Sequence, residues 1–348
     1  MRRFFGNTAC GETASLFVLE NSKGTRAEVT DYGATLVRFI LSDKNGMTRD
    51  LVLGYDDVSG YEKGGVFFGG TIGRVANRIG GGRFELDGQN YELTRNDGPN
   101  TLHGGTDFYH KRIWDVEEET GSSVKLHLFS PDGDQGFPGN LHVTVSYSLS
   151  EDDELTIDYT AKADKDTPLS LCNHSYFNLA GHDSGSVLSQ IVVINADQIT
   201  ETDGDLLPTG EFIQVEGTPM DFRKAKPLGR DIEEDYGLLR IAGGYDHNYV
   251  ISGSGYREAA YMSCEETGIT MKVFTDLPGM QLYTGNFLDN EPGKGGAVYR
   301  SRDAACFETQ FFPDAINKKD FSGGMIKAGE VFKSRTCYAF SVSEGEVK

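Results

Sequence analysis

The chain has little of what marks several large protein classes. It has no run of 18 apolar residues, so no membrane-spanning helix is expected. Basic residues are scarce: 33 Lys and Arg face 53 Asp and Glu, a net charge of −20. Nucleic-acid binding needs clustered Lys and Arg, so no nucleic-acid partner is expected. A neutral small molecule is neither attracted nor repelled by such a surface. The five cysteines are an odd number without close pairs, which fits free thiols in a reducing compartment. Met1 to Leu16 starts basic and turns polar at Gly6-Asn7-Thr8, without the apolar core of a secretion signal. These absences together predict a cytoplasmic protein that meets no membrane. Long stretches of 3.6-residue periodicity are also missing, and Asp231-Ile232-Glu233-Glu234-Asp235 is the best candidate for a short helix.

Glycine is plentiful, with 44 in 348 residues, about twice the usual share of roughly 7%. Between the glycines lie β-branched and aromatic runs that alternate with polar residues. His142-Val143-Thr144-Val145-Ser146-Tyr147-Ser148-Leu149 has period two, and Leu155-Thr156-Ile157-Asp158-Tyr159-Thr160-Ala161 follows it across Glu151-Asp152-Asp153. The pair reads as an antiparallel hairpin. Residues 26–30, 35–40, 124–129, 191–194, 269–274 and 337–342 have the same rhythm. The expected class is all-β, a large antiparallel β-sandwich with few short helices. No low-complexity linker or fixed repeat divides the chain, so residues 1–348 are read as one domain.

Several familiar motifs fail. Gly293-Lys294-Gly295-Gly296 lacks the spacing of a phosphate loop. His182-Asp183 and Asp246-His247 each stand alone, without the spacing of metal ligands. No metal and no cofactor are expected.

Four other segments carry chemistry-bearing side chains. Gly73-Arg74-Val75-Ala76-Asn77-Arg78-Ile79-Gly80, read as a strand, places Asn77 and Arg78 on opposite faces. An arginine there either pairs with a surface carboxylate or presents its fork to hydroxyls. In Leu102-His103-Gly104-Gly105 the glycines permit close approach of backbone or ligand. In Cys172-Asn173-His174-Ser175-Tyr176-Phe177-Asn178, His174 lies between two asparagines in an aromatic frame. It is either a core histidine bonded to a carbonyl or one whose pKa is tuned for proton transfer. Glu308 stands out most, a carboxylate inside Ala304-Ala305-Cys306-Phe307-Glu308-Thr309-Gln310-Phe311-Phe312. A carboxylate in such a run needs a partner, or its pKa rises. Gly243–Tyr249 and Pro278–Phe287 mix amide and carboxylate groups with Tyr and Phe. Polar edges beside aromatic faces suit a sugar.

In combination, these segments resemble the aldose 1-epimerase (galactose mutarotase) family. The matching stretches are Gly73–Ile79, Leu102–Gly105, Asn173–Leu179, Tyr245–Asn248, Gln281–Phe287 and Glu308–Gln310, in the family's order. The resemblance implies a galactose mutarotase-like supersandwich with a cofactor-free sugar site on one sheet. It implies Glu308 as catalytic base and His174 as catalytic acid. It also implies that Asn77, Arg78, His103, Asp246 and Gln281 bind the sugar, with Tyr176 a candidate stacking ring. The expected activity interconverts the α and β anomers of free galactose or glucose, with the aldose as sole partner of a monomer or weak dimer. An ionised Glu308 and a protonated His174 would suit that reaction near neutral pH. The alternatives are a non-catalytic sugar-binding protein or sensor and, less in keeping with a lone strong carboxylate, a glycoside hydrolase.

Overall fold

A computed structural model of the protein describes residues 1–321 and 323–343. Its described strands form three main antiparallel sheets. The largest has nine strands, in the order Asp115–Glu119, Ser123–Ser130, Leu141–Leu149, Glu154–Ala163, Val331–Val342, Ile269–Thr275, Arg257–Ser263, Ile191–Ile194 and Lys226–Pro227. A six-stranded sheet runs Tyr176–Phe177, Ala305–Gln310, Gly279–Tyr283, Asp246–Ile251, Ala196–Thr202 and Pro208–Gln214. A five-stranded sheet is built from the first 50 residues.

The alternation seen in the sequence explains how these layers close. In Leu141–Leu149, Leu141, Val143, Val145, Tyr147 and Leu149 are buried while the residues between them are not. The next strand aligns Ile157 with Tyr147 and Tyr159 with Val145, so both strands turn the same face inward. One core holds these residues with Phe39 from the five-stranded sheet and Phe177 from the six-stranded one, and Phe39 stacks on Phe340 at 4.0 Å. Each such side chain removed from water contributes about 1.5–3 kcal/mol. The turn Ser150–Asp153 closes the hairpin where it was expected.

Two expectations about local structure need correction. Residues 231–235 form a turn, and the helix begins later, at Gly237–Ala242. Lys226 and Arg230 hold the Asp231 carboxylate at 2.6 Å each. Leu238, Leu239 and Ala242 can point inward only after this turn. The stretch containing Asn77 and Arg78 is no continuous strand either. Asn77 has a left-handed φ of +62°, Val75 makes an isolated bridge to Ser170, and only Arg78–Ile79 forms a strand. The kink brings both side chains to one cavity rather than to opposite faces.

Candidate active site

The strand Ala305–Gln310 is buried along its whole length. Period two sends Ala305 and Phe307 into the main core and leaves Cys306, Glu308 and Gln310 on the other face. Cross-strand register extends this face sideways. Glu308 sits opposite Gln281, which sits opposite Asn248. The adjacent row is Tyr176, Cys306, Tyr283 and Asp246. A sheet surface that would ordinarily be aliphatic therefore carries carboxylates, amides and phenol rings. His247 falls on the opposite face from Asp246, and its Nδ1 accepts the Asp246 backbone N–H at 3.0 Å. Those neighbours in sequence thus form no common site.

The other wall comes from loops laid over this sheet. Thr101–Leu102 pairs with Arg78–Ile79. Beyond that pairing, His103 donates its backbone N–H to Asn77 O at 3.0 Å, and Asn77 N–H donates to His103 Nδ1 at 3.1 Å. With Nδ1 accepting, neutral His103 carries its proton on Nε2 and is a donor there. Gly104 must be glycine: its φ is +88°, and a Cβ would lie 2.1 Å from Gly73 O. Of the two glycines, Gly104 makes the close backbone approach, whereas Gly105 meets the Gln135 side chain.

Between these walls lies a cavity of about 650 Å³, open mouth included, within the range of small-molecule sites. Asn77, Arg78, His103, His174, Tyr176, Asp246 and Glu308 line it, with Phe67, Tyr283, Phe287 and Leu288. Gln281 stands behind that lining: its Nε2 donates to Asp246 Oδ1 at 2.6 Å. Phe67 was not foreseen. The available signal was an aromatic pair bracketed by double glycines, Gly64-Gly65-Val66-Phe67-Phe68-Gly69-Gly70. Phe67 and Tyr176 sandwich the His174 imidazole, with centroids at 5.5 and 5.0 Å and planes tilted by 24° and 18°. Phe287 is 64% exposed at the mouth and stacks on Tyr283.

His174 Nε2 lies 3.5 Å from Glu308 Oε1, and both side chains are buried. Cys172 Sγ donates to the other carboxylate oxygen at 3.6 Å. Burial pushes Glu308 up to about 8, with the Asp246 charge adding to the rise and the Cys172 hydrogen bond and the Arg78 charge opposing it. Burial pushes His174 down to about 3. Burial also raises Asp246 and holds His103 well below the usual histidine range. In the site without sugar, burial therefore favours a neutral carboxyl beside a neutral imidazole over separate charges on the two groups. Low-dielectric surroundings disfavour both isolated charges, and the Cys172 hydrogen bond and the Arg78 charge do not reverse this. The count of protons is the same in either form: one proton shared by the pair.

His103, His174 and Glu308 also offer one ligand atom each within 4.8 Å of one another, enough to hold a cation in principle. The His103 tautomer and the neighbouring Arg78 charge work against it. Donors, acceptors and ring faces in one cavity suit a polyhydroxylated, uncharged ring better.

This constellation on a strand-rich supersandwich is that of a carbohydrate-processing enzyme, and known proteins agree. The aldose 1-epimerase family model matches residues 15–339. The galactose mutarotase of Bos taurus is 39% identical over 345 residues, covering 98% of each chain. The aldose 1-epimerase of Escherichia coli K12 is 35% identical over 334 residues, covering 95% of this chain and 96% of its own. Among solved structures, an aldose epimerase homologue from C. elegans superposes with a TM-score of 0.88 at 33% identity, over 94% of this chain and 99% of the other. The chain belongs to the aldose 1-epimerase family. It is an enzyme that epimerises aldoses, an isomerase acting on carbohydrates. No helix among the described residues is long and apolar enough to cross a membrane.

Proposed function

We propose that the cavity binds a free aldohexose, galactose or glucose, and interconverts its anomers, with Glu308 as base and His174 as acid. The observation that carries this reading is the buried 3.5 Å approach of His174 Nε2 to Glu308 Oε1. The anomeric hydroxyl and the ring oxygen are both bonded to C1, so the groups that serve them must stand side by side. Asn77, Arg78, His103 and Asp246 supply donors and acceptors for the remaining hydroxyls, and Gln281 orients Asp246. Tyr176, Phe67 and Tyr283 surround the reacting edge with ring faces that exclude water.

The proton balance explains the electrostatics of the free site. Binding sugar hydroxyls supports transfer of the shared proton from Glu308 to His174. Glu308 then takes the proton of the C1 hydroxyl while His174 gives one to the ring oxygen. The C1–ring-oxygen bond breaks and C1 becomes an aldehyde carbon. At that point Glu308 is again protonated and His174 neutral, the state that burial favours in the free site. The site is thus matched to the open-chain aldehyde. Rotation about C1–C2 turns the other carbonyl face, and the same transfers in reverse close the ring with inverted configuration. Positioned acid–base groups of this kind typically contribute about 10²–10⁴-fold each.

Polarimetry of freshly dissolved α-D-galactose and α-D-glucose tests the reading. Catalysed decay of optical rotation to the equilibrium value is expected. A rate equal to that of buffer alone would remove the proposal.

A further inference from the structure

Arg78 is anchored by a carboxylate that does not itself line the cavity. Its Nε donates to Asp97 Oδ2 at 2.8 Å. Its two terminal nitrogens have no hydrogen-bond acceptor among the described residues, and Arg78 lines the cavity with Asp246 and Glu308, whose carboxyls both feel its charge. The side chains of Arg78 and Asp97 are only 12% and 35% exposed. This is therefore not one of the fully solvated ion pairs that contribute little.

Asp97 is itself held firmly. It closes a tight turn with Asn100, whose N–H donates to Asp97 O at 2.9 Å. On one side of it, the Asn96 side chain clamps Leu102 N–H and the carbonyls of Leu102 and Gly105. On the other, Asn100 Oδ1 accepts Gly81 N–H at 3.0 Å. The turn that carries Asp97 is thus braced against the segments that carry both His103 and Arg78.

We propose that Asp97 is a positioning residue for sugar binding, holding Arg78 by Nε so that both terminal nitrogens stay free for substrate hydroxyls. A guanidinium is a planar fork, and fixing one nitrogen fixes the plane of the other two. A second consequence follows from charge. Without Asp97, the carboxyl groups left to Arg78 are those that line the cavity with it, Asp246 and Glu308. The guanidinium would then settle on groups that the sugar must meet, and would compete with it. The loss should appear in binding more than in the chemical step. The inference rests on the reading that the cavity takes an aldohexose.

The experiment compares wild type with Asp97→Ala and Asp97→Asn, using calorimetric titration with galactose and polarimetric kinetics. Asp97→Asn keeps an acceptor oxygen for Nε and is the conservative variant. Asp97→Ala should weaken galactose binding and raise KM by about tenfold, with kcat changed by less than about threefold. Asp97→Asn should recover most of that affinity. Should the alanine variant not fold, Asp97→Ser removes the anchor while keeping a residue suited to turns. Galactose affinity within about twofold of wild type in a folded Ala or Ser variant overturns the proposal. So does a fall in kcat with KM unchanged. A readout without sugar separates this inference from the sugar reading itself: the Arg78 Nε–H resonance, identified by its loss in Arg78→Lys. It should exchange slowly with water in wild type and rapidly in Asp97→Ala. Equal exchange in both overturns the positioning role, whereas wild type that neither binds nor mutarotates galactose refutes the functional reading instead.

Discussion

Replacing Glu308 by Gln measures what it costs this fold to bury a carboxyl group. In the native protein burial holds Glu308 up to about 8, against 4.5 in an exposed carboxyl. Between those values the native state keeps a proton that the unfolded chain releases. Stability then falls by about 1.4 kcal/mol for each pH unit gained. The contribution is fully present below the unfolded value and is lost as pH rises through the folded one. The amide of the Glu308→Gln variant carries no such proton and has nearly the same shape. The difference in stability between Glu308→Gln and wild type should therefore move in favour of the variant by roughly 2–3 kcal/mol from about pH 5.5 to 7.5. All other groups are common to both proteins and cancel to first order. Urea denaturation at the two pH values reads it through the unfolding midpoints. A gap that stays constant within about 0.5 kcal/mol would refute the claim that Glu308 is protonated in the free site.

The same variant should lose turnover by about 10²–10⁴-fold, and His174→Asn by a comparable factor, with folding retained in both; near-normal polarimetric rates in either would reassign that role. Phe67→Ala opens one face of the His174 ring to water, so its pKa should rise from about 3 towards the ordinary histidine range. An NMR titration of the ring proton checks this, and an unchanged value would show that the ring stack does not cause the depression. Gly104→Ala forces a Cβ against Gly73 O in a backbone conformation that suits glycine. It should lower stability by about 2 kcal/mol and displace His103, so thermal unfolding and KM should move together.

Part of this architecture was legible because period two is a local signal. Leu141–Leu149 and Glu154–Ala163 announce their inward faces residue by residue, and their hairpin follows from the turn between them. Glu308 was legible for a related reason, as a carboxylate amid apolar residues that must be paired or protonated. The failures have physical causes as well. Residues 231–235 look helical by composition, but the Asp231 carboxylate is taken up by Lys226 and Arg230. The Asn77 and Arg78 stretch looks like a strand until the left-handed Asn77 redirects it. Asp97 resembled any exposed turn acid, and Phe67 any apolar residue, because their roles depend on partners distant in sequence: Arg78 for one and His174 for the other.

The sequence by itself determined the sheet-forming strands, the family and the ionisable residues, Glu308 and His174 among them, that stand in its apolar segments. Those properties lie in residue types and short spacings. Only the tertiary structure decided which protonation those groups hold. Cross-strand register places Glu308, Asp246 and Tyr283 on one face, and loop packing drives His174 between Phe67 and Tyr176. Desolvation depends on everything that surrounds a group in space, so burial favours a neutral carboxyl where the same residue in an open chain would ionise, and keeps the imidazole neutral far below the pH at which a free one takes up a proton.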